Sequence, residues 1–240
     1  MMSNSFFQFK KFTIHQEHCA MKVCTDACLF GAWVAERLAG TGLISNSILD
    51  IGTGTGLLSL MLAQKNLAKI DAIELDEAAA QQAKENFENS PWFERMQLIS
   101  GDARLLHFGK KYDLVISNPP FFDNDLKSSD PQRNMALHGD ALDFDALIKI
   151  VSANLAENGR FALLLPFHRR DEFVEKISGK GFFLQEEASV KQSGRHAFFR
   201  SLLIFGNEAG IGFREEIIIR EEEAYSERFT SLLKDYYLNF

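Results

Sequence analysis

A glycine-rich loop is the first feature of this chain that could bind a ligand. The run 50–56 reads Asp-Ile-Gly-Thr-Gly-Thr-Gly and separates a short apolar segment from a helical one. Alternating glycines let the backbone turn tightly and approach a ligand without Cβ clashes, and the N–H groups that open the next helix can bind a polar or anionic group. The candidate ligand-binding residues of the loop are therefore Asp50, Gly52, Gly54 and Gly56.

Two acidic residues follow this loop, each at the end of a later apolar segment. Glu74 could accept hydrogen bonds from both hydroxyls of an adenosine ribose, and Asp102 lies where the adenine ring would reach next. A dinucleotide would also need such an acid, but its loops prefer the spacing G-x-G-x-x-G, whereas this loop reads G-x-G-x-G. The pattern predicts a ligand that contains adenosine.

A second motif, Asn-Pro-Pro-Phe at 118–121, could hold an amino group for reaction. Consecutive prolines fix φ and cannot continue a strand, so Pro119 and Pro120 predict a rigid corner after the apolar run 112–117. The side-chain carbonyl of Asn118 and the backbone carbonyl of Pro119 could accept hydrogen bonds from the two N–H groups of an sp² amino group, while Phe121 stacks on the planar group. These four residues are the candidate catalytic residues.

Short strands and helices alternate along the chain and would position both motifs. This alternation predicts an α/β fold with a mostly parallel seven-stranded sheet, helices on both faces, and ligands at the carboxyl ends of the strands. No long helix separates the last two strands, which predicts an antiparallel edge. The predicted strands are 47–51, 70–75, 96–100, 112–117, 161–165, 182–190 and 198–205.

We expect one domain over residues 1–205, which includes a phenylalanine-rich N-terminal arm. A C-terminal extension over 206–240 should pack on the same domain, with a strand over 213–219 and a helix over 225–237.

Composition and charge narrow the class of protein. With 26 basic and 33 acidic residues, the net charge of −7 argues against a protein that coats nucleic acid non-specifically, although a local basic patch can still bind RNA. No apolar run approaches 18 residues and the N-terminus has no signal-peptide pattern, so we expect a cytoplasmic protein without a membrane partner. Cys19, Cys24 and Cys28 indicate neither a disulfide framework nor a metal site.

The two motifs together resemble a known superfamily. The glycine loop, with Glu74 and Asp102, resembles the first motif and the ribose and adenine contacts of class I methyltransferases that use S-adenosylmethionine. The Asn-Pro-Pro-Phe corner resembles the fourth motif, (D/N/S)-P-P-(Y/F/W), of those members that methylate amino groups. The resemblance implies a Rossmann-like fold, S-adenosylmethionine as cofactor, and methyl transfer to an amino nitrogen, with Asn118 next to both substrates.

Segments outside the core extend this resemblance to nearly the whole chain. They are 18–26, 31–33, 131–133, 225–227 and 236–238, and they resemble the bacterial family that methylates N6 of adenine 37 in a valine tRNA. Lys22 and Thr25 match a motif that closes over the methionine end of the cofactor, although Cys24 and Ala27 replace glycines usual in the family. The resemblance implies an anticodon-loop substrate. For a compact enzyme of this kind we expect a monomer.

A tRNA substrate needs a modest phosphate-binding surface on this acidic protein. The candidate RNA-binding residues are Lys10, Lys11, Lys22, Arg133 and Arg195.

The sequence leaves two alternative functions open. A methyltransferase acting on a release-factor glutamine shares both motifs, although that family usually carries an N-terminal helical domain and only some 45 residues precede Ile48 here. A non-catalytic RNA-binding factor that retains a cofactor pocket is the alternative of a different class, and the intact corner argues against it.

Overall fold

The computed structural model describes residues 5–19, 21–40, 46–119, 142–209 and 212–240. Its α-helices are α1 Thr25–Gly40, α2 Leu57–Lys65, α3 Glu77–Glu88, α4 Phe144–Asn154, α5 Arg170–Ser178 and α6 Glu227–Leu233. A small hairpin comes first, with β1 Phe6–Gln8 and β2 Thr13–His15. The other strands are β3 Ser47–Ile51, β4 Lys69–Glu74, β5 Met96–Ser100, β6 Tyr112–Ser117, β7 Leu155–Pro166, β8 Phe183–Ser193, β9 Phe198–Gly206, β10 Phe213–Glu221 and β11 Ala224–Tyr225.

The central sheet has the order β11-β10-β8-β9-β7-β6-β3-β4-β5. Strands β3 to β7 run parallel, and β9 runs antiparallel to both of its neighbours, β7 and β8. The predicted α/β architecture and the antiparallel pairing of the last two predicted strands are confirmed. The seven predicted strands are present, and six of them differ from the prediction by at most three residues at either end. Strand β7 begins at Leu155, six residues before its predicted start.

The C-terminal residues add two strands to those seven. Strand β10 pairs parallel with β8, so the β8–β9 pair does not form the edge, and β11 turns back along β10. Because Tyr225 pairs with Arg220 in this turn, the last helix begins only after Ser226, whose side chain caps it by accepting from Phe229 N. The predicted helix over 225–237 is therefore too long.

Two apolar clusters cover the two faces of the sheet. Helices α1, α2, α3 and α6 and the N-terminal arm pack on one face, while α4 and α5 pack on the other. The arm contributes Phe9, Phe12 and Ile14, all buried, and Phe9 also bridges to Tyr237. The arm is thus fixed beside α3, where His15 N donates to Asn86, and the C-terminal residues are fixed beside α2, where the Tyr236 hydroxyl donates to Met61 O. No helix in the described ranges is long and apolar enough to cross a membrane.

Candidate functional site

Four parallel strands bring the sequence motifs to one edge of the sheet. In the order β6-β3-β4-β5, the carboxyl ends lead into the Asn-Pro corner, the glycine loop, Glu74 and Asp102, respectively. Parallel strands end at the same edge, so residues far apart in the chain line a common crevice, where open α/β sheets bind ligands.

The glycine loop has the backbone conformation that its sequence predicts. Gly52, Gly54 and Gly56 have φ of 71°, 56° and 83°, in the left-handed region that other residues rarely adopt. A Cβ at Gly52 or Gly54 would meet nothing within 4 Å, so the loop faces open space. At Gly56 an added Cβ would lie 2.5 Å from Cε1 of Phe87, because the loop rests directly on α3.

Asp50 lies beneath the loop and is fully buried. Its Oδ2 accepts hydrogen bonds from Thr53 Oγ1 and Ser59 Oγ, both at 2.7 Å. Within the described residues Oδ1 has no hydrogen-bond partner, and burial raises the pKa of this carboxyl to about 6 although the two hydroxyls oppose the shift. Asp50 therefore ties the loop to the start of α2 from below.

Glu74 joins the glycine loop to the end of β4. Its Oε2 accepts from Gly54 N at 2.8 Å, and its Oε1 accepts from the backbone N–H groups of Leu75 and Asp76 at 2.9 and 3.0 Å. The side chain is half-buried, so the carboxylate is held in place yet remains open to the crevice. A fixed carboxylate beside the loop can accept hydrogen bonds from two vicinal hydroxyls.

Asp102 lies at the end of β5 and is held by Arg104. The guanidinium donates to both carboxylate oxygens, with Nη2 to Oδ2 at 2.7 Å and Nε to Oδ1 at 2.9 Å. Hydrogen bonds from Arg104 lower the pKa of Asp102, so this carboxylate stays charged. Gly101 N donates to Glu74 O at 2.8 Å, which fixes the ends of β4 and β5 relative to each other.

The Asn-Pro corner begins where β6 meets β3. Ser117 Oγ donates to Ile51 O at 2.8 Å, so the end of β6 is tied to the residue that precedes the glycine loop. Asn118 follows half-buried and Pro119 is buried. Pro120 and Phe121 lie outside the described residues, as does Arg133.

The N-terminal candidates lie around the start of α1. Thr25 is the first residue of the helix and is exposed, while Asp26 pairs with Arg200 Nε at 2.7 Å. This ion pair connects the start of α1 to the start of β9, at the carboxyl edge of the parallel strands. The ammonium of Lys22 donates to the backbone carbonyl of Gln16, so it joins two points of the chain between β2 and α1.

The remaining basic candidates differ in their surroundings. The ammonium of Lys10 donates to the backbone carbonyls of Lys234 and Phe240, so it fixes the C-terminus. Lys11 is exposed in the turn of the β1–β2 hairpin. Arg195 is exposed in the β8–β9 turn, at the carboxyl edge of the sheet.

Sequence reasoning missed two side chains that shape the crevice. Asn86 on α3 is 1% exposed and donates to Thr55 O at 2.8 Å and to His15 O at 2.9 Å, which clamps the loop to the N-terminal arm. The sequence did hold a signal for this role, because Asn86 follows Ala79 and Ala83 at helical spacing and so places a polar side chain on the buried face of α3. Leu75, 45% exposed beside Glu74, offers an apolar surface that could contact a planar ring.

The fold and the site define a class I methyltransferase that uses S-adenosylmethionine. The description "Methyltransferase small domain" belongs to the family model that matches residues 32–163, more than half of the chain. A predicted O-methyltransferase from Agrobacterium tumefaciens has a TM-score of 0.66 at 18% identity, over 88% of this chain and 96% of that one. The glycopeptide N-methyltransferase MtfA, solved with S-adenosyl-L-methionine, has a TM-score of 0.54 at 16% identity, over 73% of this chain and 93% of that one.

Full-length relatives identify the family. A tRNA1(Val) (adenine(37)-N6)-methyltransferase from Bacteroides thetaiotaomicron is 40% identical over 243 residues, which covers 99% of each chain. This chain belongs to the tRNA1(Val) (adenine(37)-N6)-methyltransferase family, as the sequence motifs predicted.

Proposed function

We propose that this enzyme transfers a methyl group from S-adenosylmethionine to N6 of adenine 37 in tRNA1(Val). The observation that carries the proposal is the 40% identity to a relative of that name over 99% of both chains. Asn118 and Pro119 follow the end of β6 next to the glycine loop, and they begin the Asn-Pro-Pro-Phe motif that supplies the matching chemistry.

The described side chains fit the cofactor in type and placement. Gly52 and Gly54 leave space free in front of the loop, where any Cβ would project toward a ligand. Glu74 would bind the ribose hydroxyls and Asp102 the adenine amino group, while Asp50 supports the loop from beneath. Gly56, Thr25 and Asn118 complete the proposed set of cofactor-binding residues.

The proposed mechanism needs hydrogen-bond acceptors and no strong base. The lone pair of an adenine amino nitrogen is delocalised into the ring, so the nitrogen is a poor nucleophile. Asn118 Oδ1 and Pro119 O would accept hydrogen bonds from its two N–H groups and favour a pyramidal nitrogen. When bound, S-adenosylmethionine supplies an electrophilic methyl group on a positively charged sulfur.

The same acceptors would stabilise the product-like state. As the N–C bond forms and the bond between the methyl group and the sulfonium breaks, positive charge develops on the amino nitrogen, and the oxygens of Asn118 and Pro119 would stabilise it. Phe121 would stack on the adenine and fix the angle of attack, and Pro120 would keep the corner rigid. The surplus proton then passes to water.

The tRNA would approach across the carboxyl edge of the sheet. An anticodon-loop adenine is already partly unpaired, so turning it into the crevice costs only a few kcal/mol. Of the proposed RNA-binding residues, Lys10 and Lys22 have ammonium groups engaged by backbone carbonyls, whereas Lys11 and Arg195 are exposed, and Arg133 remains a prediction.

Three further assignments remain part of this proposal. They are a monomeric state, a cytoplasmic location, and the division into a domain over 1–205 with an extension over 206–240.

The experiment that tests the substrate class offers three acceptors side by side. Unmodified bulk tRNA, duplex DNA and a peptide release factor would each be incubated with enzyme and methyl-labelled S-adenosylmethionine. The proposal predicts label in tRNA alone. Label in the release factor alone would replace the tRNA substrate by a protein glutamine, and binding of tRNA without any label would favour a non-catalytic RNA-binding factor.

A further inference from the structure

A stack of aromatic rings lies at the carboxyl edge, beyond the proposed catalytic corner. The rings of Phe167 and Phe198 stack with centroids 4.9 Å apart and an interplanar angle of 29°. Lys191 Nζ lies 4.1 Å from the centroid of the Phe198 ring. Both rings are half-buried, and neither belongs to either apolar cluster that covers the sheet. The stack therefore serves no evident role in the core.

Strand register places this stack beside the corner. Ser117 on β6 is level with Leu163 on β7, and Pro166 on β7 is level with Arg200 on β9. Phe167 thus lies one strand across from Asn118 and three residues further out, about 11 Å away from Cα to Cα at ordinary strand spacings. A planar group stacked on Phe167 would be a neighbour of the group held at the corner, rather than the same group.

The charges around the stack suit a nucleic acid. Arg195 projects from the adjoining β8–β9 turn and has no carboxylate partner among the described residues. Lys191 pairs with Glu216 at 3.1 Å and Arg169 pairs with Glu172 at 2.8 Å, so these two cations are partly neutralised. An aromatic face with an unpaired guanidinium nearby matches one base and its phosphate, because every base has a face that can stack.

We propose that Phe167 stacks on a base adjacent to the methylated adenine, and that Arg195 binds the phosphate of the same stretch of single-stranded RNA. The proposal rests on the proposed function and deepens it, since it assigns a second nucleotide subsite to the same edge. Phe198 and Lys191 support the Phe167 ring from behind. Stacking tolerates any base, so the subsite would fix the position of the loop without reading its sequence.

The test measures binding of an anticodon stem-loop RNA to Phe167→Ala, Phe167→Leu and Phe167→Trp. Loss of one stacking contact predicts about 5- to 150-fold weaker binding for the first two variants, with recovery in the tryptophan variant. Phe93→Ala is the matched control. Phe93 is an exposed phenylalanine (53%) just before β5, so it lies at the amino ends of the parallel strands, away from the carboxyl edge. The Kd for S-adenosylmethionine should not change in any variant, which separates a local effect from misfolding.

An RNA with an abasic nucleotide identifies the contact. Removing the base on one side of adenine 37, at position 36 or 38, should weaken binding to the wild type but not weaken binding to Phe167→Ala any further. Arg195→Ala should lower the slope of log K against log salt by about 0.7, the value for one phosphate of a single strand. The proposal would be overturned if Phe167→Ala bound the intact RNA with the wild-type Kd. It would also be overturned if both abasic RNAs weakened binding to Phe167→Ala as much as they weaken binding to the wild type.

The outcome also separates this proposal from the proposed function. RNA that binds through Phe167 but is never methylated would refute the proposed function and leave the stacking subsite standing. If wild type and Phe167→Ala methylate the RNA equally well and bind it with equal Kd, the stacking subsite is refuted and the proposed function stands. A wild-type enzyme that does not bind the stem-loop at all would refute both.

Discussion

Replacing Glu74 by alanine should weaken binding of S-adenosylmethionine by about 10- to 150-fold. A hydrogen bond to a charged group contributes about 1.5–3 kcal/mol, and each 1.4 kcal/mol is tenfold in Kd. The backbone N–H groups that Glu74 now accepts from Gly54, Leu75 and Asp76 lie near solvent, so water can replace the carboxylate there. Most of the loss should therefore come from the ribose contact.

Isothermal titration calorimetry measures this effect directly. Asp76→Ala is the matched control, since it removes the same charge two residues away and deletes the cap of α3, where Asp76 Oδ1 accepts from Ala79 N at 2.8 Å. That change should cost about 1 kcal/mol of stability and leave the cofactor Kd within twofold.

A cofactor analogue without ribose hydroxyls sharpens the comparison. It should bind the wild type more weakly than S-adenosylmethionine does, yet bind Glu74→Ala about as well as S-adenosylmethionine does. An unchanged Kd in Glu74→Ala, or equal losses in Glu74→Ala and Asp76→Ala, would refute the assignment of Glu74 to the ribose.

Three further predictions concern the corner and the loop. Asn118→Ala should lower kcat by about 10²–10³ and weaken cofactor binding far less, because its oxygen acts mainly as charge develops on the nitrogen; an unchanged single-turnover rate would remove Asn118 from the mechanism. Burial raises the pKa of Asp50 to about 6, so the free energy of unfolding of the wild type should fall by about 2 kcal/mol relative to that of Asp50→Asn as pH rises from 4 to 6. Parallel urea-unfolding profiles of wild type and Asp50→Asn would contradict that assignment. Gly56→Ala should lower the free energy of unfolding by about 2–4 kcal/mol, because of its φ of 83° and the Phe87 ring, whereas Gly40→Ala, in open space on α1, should change it by less than about 1 kcal/mol; equal effects would refute the packing argument.

Local patterns were sufficient to predict the architecture and the convergence of the motifs. The glycines at 52, 54 and 56 allow the positive φ that the loop adopts, and parallel strands bring Glu74, Asp102 and Asn118 to one edge once an α/β sheet is assumed. Such inferences need only short-range sequence and one general rule of topology.

Long-range contacts explain what the sequence did not predict. The pairing of β10 with β8 depends on an edge that exists only after the sheet has formed, and the clamp of Asn86 on Thr55 and His15 joins segments distant in the chain. The Asp102–Arg104 pair is local, yet the sequence does not show whether the arginine turns back toward the carboxylate or out to solvent.

The most direct test of the central claim identifies the methylated atom. Transcripts of tRNA1(Val) with adenine or guanine at position 37 would be treated with the enzyme and S-adenosylmethionine, digested to nucleosides and analysed by mass spectrometry. The account predicts N6-methyladenosine from the adenine transcript and no methylated nucleoside from the guanine transcript. A methyl group on any other nucleoside, or equal methylation of both transcripts, would contradict it.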